Sequence, residues 1–168
     1  MSTPFRVPTA ELFRHRGTRR HVELQGPLPG VALSTSQLAD GKDVVADLVL
    51  EAQGETVIVT GTVTAEWEGE CRRCLSTTGG ELAVDLQEVF ELDAVEGETY
   101  PLGRDSVDLE PPLREALALA LPVAPLCGDD CAGPDPDDHP VTVVSDEEPE
   151  ERPADPRWAA LDDLRFDG

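Results

Sequence analysis

The sequence predicts an α+β fold: a curled antiparallel β-sheet covered by one long amphipathic helix, with a disordered acidic tail and a short C-terminal helix. Three observations predict it. A two-residue alternation runs almost unbroken from Glu55 to Glu68, an apolar stripe at helical spacing runs from Leu109 to Leu121, and a cysteine pair follows each of these segments. The first two set the elements, and the third predicts that their ends meet.

Arg20–Leu24 reads as a first, weaker strand, and Val44–Ala52 as a second, closed by a hairpin turn at Gln53-Gly54. In the next, Val57, Val59, Gly61, Val63, Ala65 and Trp67 point one way, and Thr56, Thr60, Thr62, Thr64 and Glu66 the other. Only Ile58 breaks the rule, and Gly61 in the middle signals a bend or bulge. Leu82, Val84, Leu86, Phe90 and Leu92 alternate with Asp85, Gln87 and Glu91 in a further strand. Short turns between neighbours make the sheet antiparallel.

Leu109, Leu113, Ala116, Leu117, Ala120 and Leu121 then fall on one face of a helix. Pro111 and Pro112 fit only its first turn, and Pro122 ends it. Such a helix lies across the sheet and delivers Cys127 near Cys74. Residues 132–153 are acidic and proline-rich without periodicity, and read as a disordered linker. Asp155-Pro156 caps a short helical segment, 154–168, in which Trp158, Leu161 and Leu164 form a stripe suited to docking on a partner or on the chain's own domain. Residues 1–131 form the single folded domain, with a basic N-terminal arm.

Charge is the strongest compositional signal. Thirteen Lys and Arg oppose 35 Asp and Glu, for a net charge of −22. A chain so acidic is repelled by phosphate backbones and anionic lipid, and attracted to basic partners. The cations crowd into the arm (Arg6, Arg14, Arg16, Arg19, Arg20), the anions into the tail after Cys127. No apolar run approaches the roughly 20 residues of a membrane span, and the N-terminus has no export signal pattern. A cytoplasmic protein without membrane contact is expected.

Cys71-Arg-Arg-Cys74 and Cys127-Gly-Asp-Asp-Cys131 contain all four cysteines. In a reducing compartment such pairs bind metal more often than they form disulfides, and a four-thiolate zinc site is structural because no coordination position stays open. Arg72 and Arg73 offset some of its negative charge. Unmetallated thiols at a hairpin end are the alternative. A thiol-redox role fits less well, since redox Cys-x-x-Cys motifs open a helix after a strand. His15, His21 and His139 lack ligand spacing to the cysteines. No phosphate loop, nucleophile elbow or distinct carboxylate pair is present, so neither an enzyme nor a small-molecule substrate is expected. Arg14, Arg16, Arg19, Arg20, Arg72 and Arg73 are candidate RNA or partner contacts, guanidinium matching phosphate geometry. They suit equally well a solvated arm folded on the chain's own acidic surface.

Together these segments resemble the YceD family, the large ribosomal RNA subunit accumulation proteins. The resemblance rests on Leu12-Phe-Arg-His-Arg-Gly-Thr-Arg-Arg20, Gly61-Thr-Val, Gly69-Glu-Cys71-Arg-Arg-Cys74-Leu75, Asp108-Leu-Glu-Pro111, Arg114-Glu-Ala116, Leu119-Ala-Leu-Pro122, Pro125-Leu-Cys127, Asp130-Cys131 and Asp155-Pro-Arg-Trp158. It implies a non-enzymatic factor supporting accumulation of 23S rRNA. Its partner would be a basic ribosomal protein, a large-subunit precursor rRNA, or both. The alternative is a small metal-free or thiol-redox protein with no direct ribosomal contact. Where relatives continue with Gly-Leu-Cys-Pro-x-Cys-Gly, this chain has Gly133-Pro-Asp-Pro-Asp-Asp-His139. A third cysteine pair is absent, which leaves the first two as the only thiolate set.

Overall fold

A computed structural model describes residues 4–14, 17–135 and 137–138. The predicted C-terminal helix, most of the acidic linker, Arg16, Trp158, Leu161 and Leu164 lie outside the described residues. In order, the chain forms β1 (Arg6–Pro8), α1 (Ala10–Arg14), β2 (Arg19–Gly26), β3 (Ser36–Leu38), β4 (Val44–Gln53) and β5 (Thr56–Glu70). There follow β6 (Thr77–Glu91), β7 (Tyr100–Pro101), β8 (Ser106–Asp108) and α2 (Glu110–Ala120).

The predicted fold class needs correction. The described residues are 45% strand and 12% helical, with two short helices and no long helix covering a sheet. A helix does form at the Leu109–Leu121 stripe, but α2 has 11 residues, about 16 Å of helix at 1.5 Å per residue. β5 alone has 15, close to 50 Å at about 3.3 Å per residue. Pro111 and Pro112 in its first turn and Pro122 just past its end confine the helix, and so it covers only part of one sheet face.

Five strands follow the order β2-β4-β5-β6-β7, with β3 pairing on β5 beside β4. All pairings are antiparallel except β6 with β7. β4 shows why the sheet forms: Val44, Ala46, Leu48, Leu50 and Ala52 are buried, and the residues between them are half-buried or exposed. Its turn uses Gly54-Glu55, one residue later than expected, with Gly54 at φ 67° where a glycine avoids the Cβ penalty. Val57, Val59, Val63 and Ala65 are buried on β5, as are Leu86 and Phe90 on β6. Leu92, expected to extend that row, is exposed beyond the strand end.

Gly61 marks a close approach and not a bulge. Pairing on both sides runs through it without an extra residue, to Leu48 and to Leu86. A Cβ there would lie 2.1 Å from the Asp47 carbonyl oxygen, so only glycine lets β4 and β5 meet.

The core between sheet and α2 holds Leu109, Leu113, Leu117 and Leu121, all 2% exposed or less. Phe5, Val7 and Leu12 join it from the N-terminal segment, where β1 pairs with β8. The basic segment is thus anchored by apolar residues between its arginines. Among the described residues, no helix is long and apolar enough to cross a membrane.

Candidate metal centre

The β5–β6 hairpin reaches beyond the core and ends in a knuckle. Glu70 and Thr77 are the last paired residues; Cys71 then donates its N–H to the Ser76 carbonyl at 2.9 Å, and Leu75 donates back to the Cys71 carbonyl at 2.8 Å. Closing this turn forces Leu75 to φ 62°, a conformation that costs a branched side chain about 1 kcal/mol.

The second cysteine loop reaches the knuckle because the chain leaving α2 is tied down. Ser36 Oγ donates to the Pro122 carbonyl at 2.8 Å, and Thr35 Oγ1 to that of Val123 at 2.9 Å. Arg72 N–H then donates to Pro125 O at 2.9 Å. Past Cys127, Cys131 N–H turns back to Gly128 O, and the Arg73 guanidinium donates to Asp129 O at 3.3 Å.

These ties bring the four Sγ atoms within 4.8 Å of one another. Cys71 and Cys131 Sγ are 3.7 Å apart, Cys74 and Cys127 Sγ 3.8 Å. Metal–sulfur bonds of about 2.3 Å define a tetrahedron with edges of roughly 3.8 Å. Disulfides require sulfurs at about 2 Å, and all four cysteines are free. Size and donor set fit a four-coordinate metal ion, which Cys71, Cys74, Cys127 and Cys131 together could hold.

Electrostatics distinguish three of the sulfurs. Cys71, fully buried, is lowered to about 6 because the N–H groups of Cys74, Arg73 and Cys127 point at its sulfur. Cys74 is lowered by the Ser76 hydroxyl and then the Ser76 N–H. Cys127 is pushed up to about 12, since Cys131, Cys71 and Cys74 already crowd it. Two of the sulfurs are thus biased toward the thiolate, the form in which cysteine ligates a metal.

The candidate arginines divide into two groups. Arg72 and Arg73 sit on the knuckle, both exposed. Arg19 pairs with Glu51, itself opposite Ile58; from there to Cys71 is roughly 40 Å along β5 at about 3.3 Å per residue. Arg19 Nε donates to Glu51 at 2.7 Å, Arg20 to the Pro8 carbonyl at 3.0 Å. Arg14 ends α1, exposed. His21 contacts Asp47 on the outer sheet face, remote from the cysteines.

Ser76, Pro125, Thr35 and Ser36 escape sequence reasoning. Ser76 lies two residues past Cys74 and could have been suspected. The other three act across more than fifty residues of chain and carry no local signature.

The family described as Large ribosomal RNA subunit accumulation protein YceD matches residues 59–165. A Mycobacterium bovis protein described as uncharacterised is 35% identical over 170 residues, covering 96% of this chain and 81% of its own. A Mycobacterium tuberculosis protein shows the same values. A Mycobacterium leprae protein is 33% identical over 153 residues, covering 85% of this chain and 70% of its own. No solved structure matches significantly.

Proposed function

Since the chain belongs to the YceD family of large ribosomal RNA subunit accumulation proteins, we propose that it supports 23S rRNA accumulation as a non-enzymatic binding factor. Its client is a basic ribosomal protein, shielded until RNA displaces it. A structural zinc on Cys71, Cys74, Cys127 and Cys131 fastens the hairpin tip to the chain after α2.

The observation that carries the choice of a protein client over RNA is how the cations are spent. Arg6 pairs with Asp108, Arg19 with Glu51, Lys42 with Glu66 and Arg114 with Glu110. Arg20 is committed to a backbone carbonyl. Carboxylates then dominate a surface of net charge −22, which attracts lysine- and arginine-rich proteins and opposes phosphates. RNA carries denser charge and can strip the client away.

Purified basic large-subunit proteins and large-subunit precursor rRNA, titrated separately against the full chain at several salt concentrations, test the proposal. Salt-sensitive binding of at least one protein, with much weaker binding of RNA, is expected. Tight RNA binding lost on replacing Arg14, Arg16, Arg19 and Arg20 by alanine overturns it.

A further inference from the structure

β6 has one fully used side and one open side. Toward β5 it is paired from Thr77 to Phe90, whereas toward β7 only Phe90 and Glu91 are paired. Among the described residues, no strand other than β5 pairs with residues 77–87, and no loop backbone hydrogen bond reaches them.

The hydrogen bonds at the knuckle set the phase of the ladder. Cys71 N–H donates to Ser76 O, so that pair is hydrogen-bonded, and such pairs alternate along an antiparallel ladder. Even-numbered residues of β6 therefore direct N–H and C=O at β5, and odd-numbered ones direct theirs outward. Two further bonds agree: Glu91 accepts from Leu102 N–H on the β7 side, and Glu70, opposite Thr77, gives its N–H to Thr35 instead of β6.

The open edge thus presents the backbone groups of Thr77, Gly79, Glu81, Ala83, Asp85 and Gln87, all exposed. Proteins usually blunt such an edge with proline, lysine or a bulge; residues 77–87 contain none of these. What they carry is acidic. Glu81 and Asp85 face solvent on one side of the sheet, while Leu82 and Val84 on the other are half-buried against the core. Pairing two copies through this edge would bring like charges together on chains of net charge −22.

We propose that the open edge of β6, from Thr77 to Gln87, takes an extended basic segment of a partner protein as an added strand. Backbone hydrogen bonds supply the register. Because side chains alternate, the segment sets lysine or arginine beside Glu81 and Asp85 and apolar residues beside Leu82 and Val84. The inference rests on the basic-protein reading above, and adds where the client binds and in what conformation.

Amide exchange on the full chain, with and without a synthetic 11-residue peptide alternating lysine and valine, tests it. Amides of Gly79, Glu81, Ala83 and Asp85 are expected to exchange fast alone and at least tenfold slower with peptide, while Leu82 and Val84 stay slow throughout. Ala83→Pro removes an outward N–H without touching the β5 ladder, and should weaken binding about tenfold with unchanged circular dichroism. Glu81→Lys with Asp85→Lys should do the same by charge alone. Protection of the odd-numbered amides in the free protein would mean that the chain's own tail or a second copy covers the edge, and overturns the proposal. So does peptide binding that leaves them unprotected. If purified basic ribosomal proteins bind the Ala83→Pro chain as tightly as the parent, the edge is wrong and the client class survives; if they bind neither chain, both readings fall.

Discussion

The backbone N–H of Arg72 donates to the carbonyl of Pro125 at 2.9 Å, joining two cysteine loops that are far apart in the chain. With the ties from Ser36, Thr35 and Arg73, this contact sets the four sulfurs within 4.8 Å of one another. A preformed site binds metal without the ordering penalty of a flexible one.

The full chain is therefore expected to carry one zinc per molecule by elemental analysis, and a strong chelator to lower its melting temperature. Cys71→Ser should abolish retention and cost several kcal/mol, since metal binding contributes directly to folding. Cys127, exposed and pushed up to about 12, should tolerate serine better than Cys71, with weakened but measurable zinc binding by competition titration.

Gly61→Ala should destabilise the protein by about 3 kcal/mol. The new Cβ would meet the Asp47 carbonyl oxygen at 2.1 Å, and backbone cannot swing away as a side chain can. Denaturant unfolding measures it; a loss below about 0.5 kcal/mol, the range of neutral surface changes, would mean β4 and β5 can separate there.

Leu75 is strained at φ 62° and largely exposed. Leu75→Asn should stabilise the fold by up to ~1 kcal/mol, because asparagine tolerates this conformation and no burial is lost. Comparing denaturation midpoints with zinc bound checks this.

Glu88 faces the core side of β6, between Leu86 and Phe90. Burial raises its pKa above the ordinary 4.5, with the nearby Glu115 charge adding to the effect. The native state then holds a proton the unfolded chain has released, so stability falls as pH rises from about 4.5 through the raised value. Glu88→Gln should flatten this slope and gain stability at pH 7 relative to pH 4. An unchanged slope in pH-dependent unfolding would contradict the assignment.

Much of the sheet was legible because one buried face imposes a period of two. Val57, Val59, Val63 and Ala65 declared β5, and Val44 through Ala52 declared β4. The helix was legible in its stripe but not in its reach, since its two prolines and Pro122 limit it to 11 residues. β1, β3, β7 and β8 have three residues or fewer. Strands that short show no period, and only their partners stabilise them.

Residue order alone determined which groups could hold a metal, the acidic character of the surface and the strands of the central meander. Those follow from local chemistry: thiol spacing, formal charge and side-chain alternation. Tertiary structure decided that Cys71 and Cys131 stand 3.7 Å apart, that the arginines lie at opposite ends of a long hairpin, and that among the described residues one edge of β6 is open. Each of these is a distance between residues remote in sequence, set when burial of Leu113, Leu117 and Phe90 brings the sheet and α2 together.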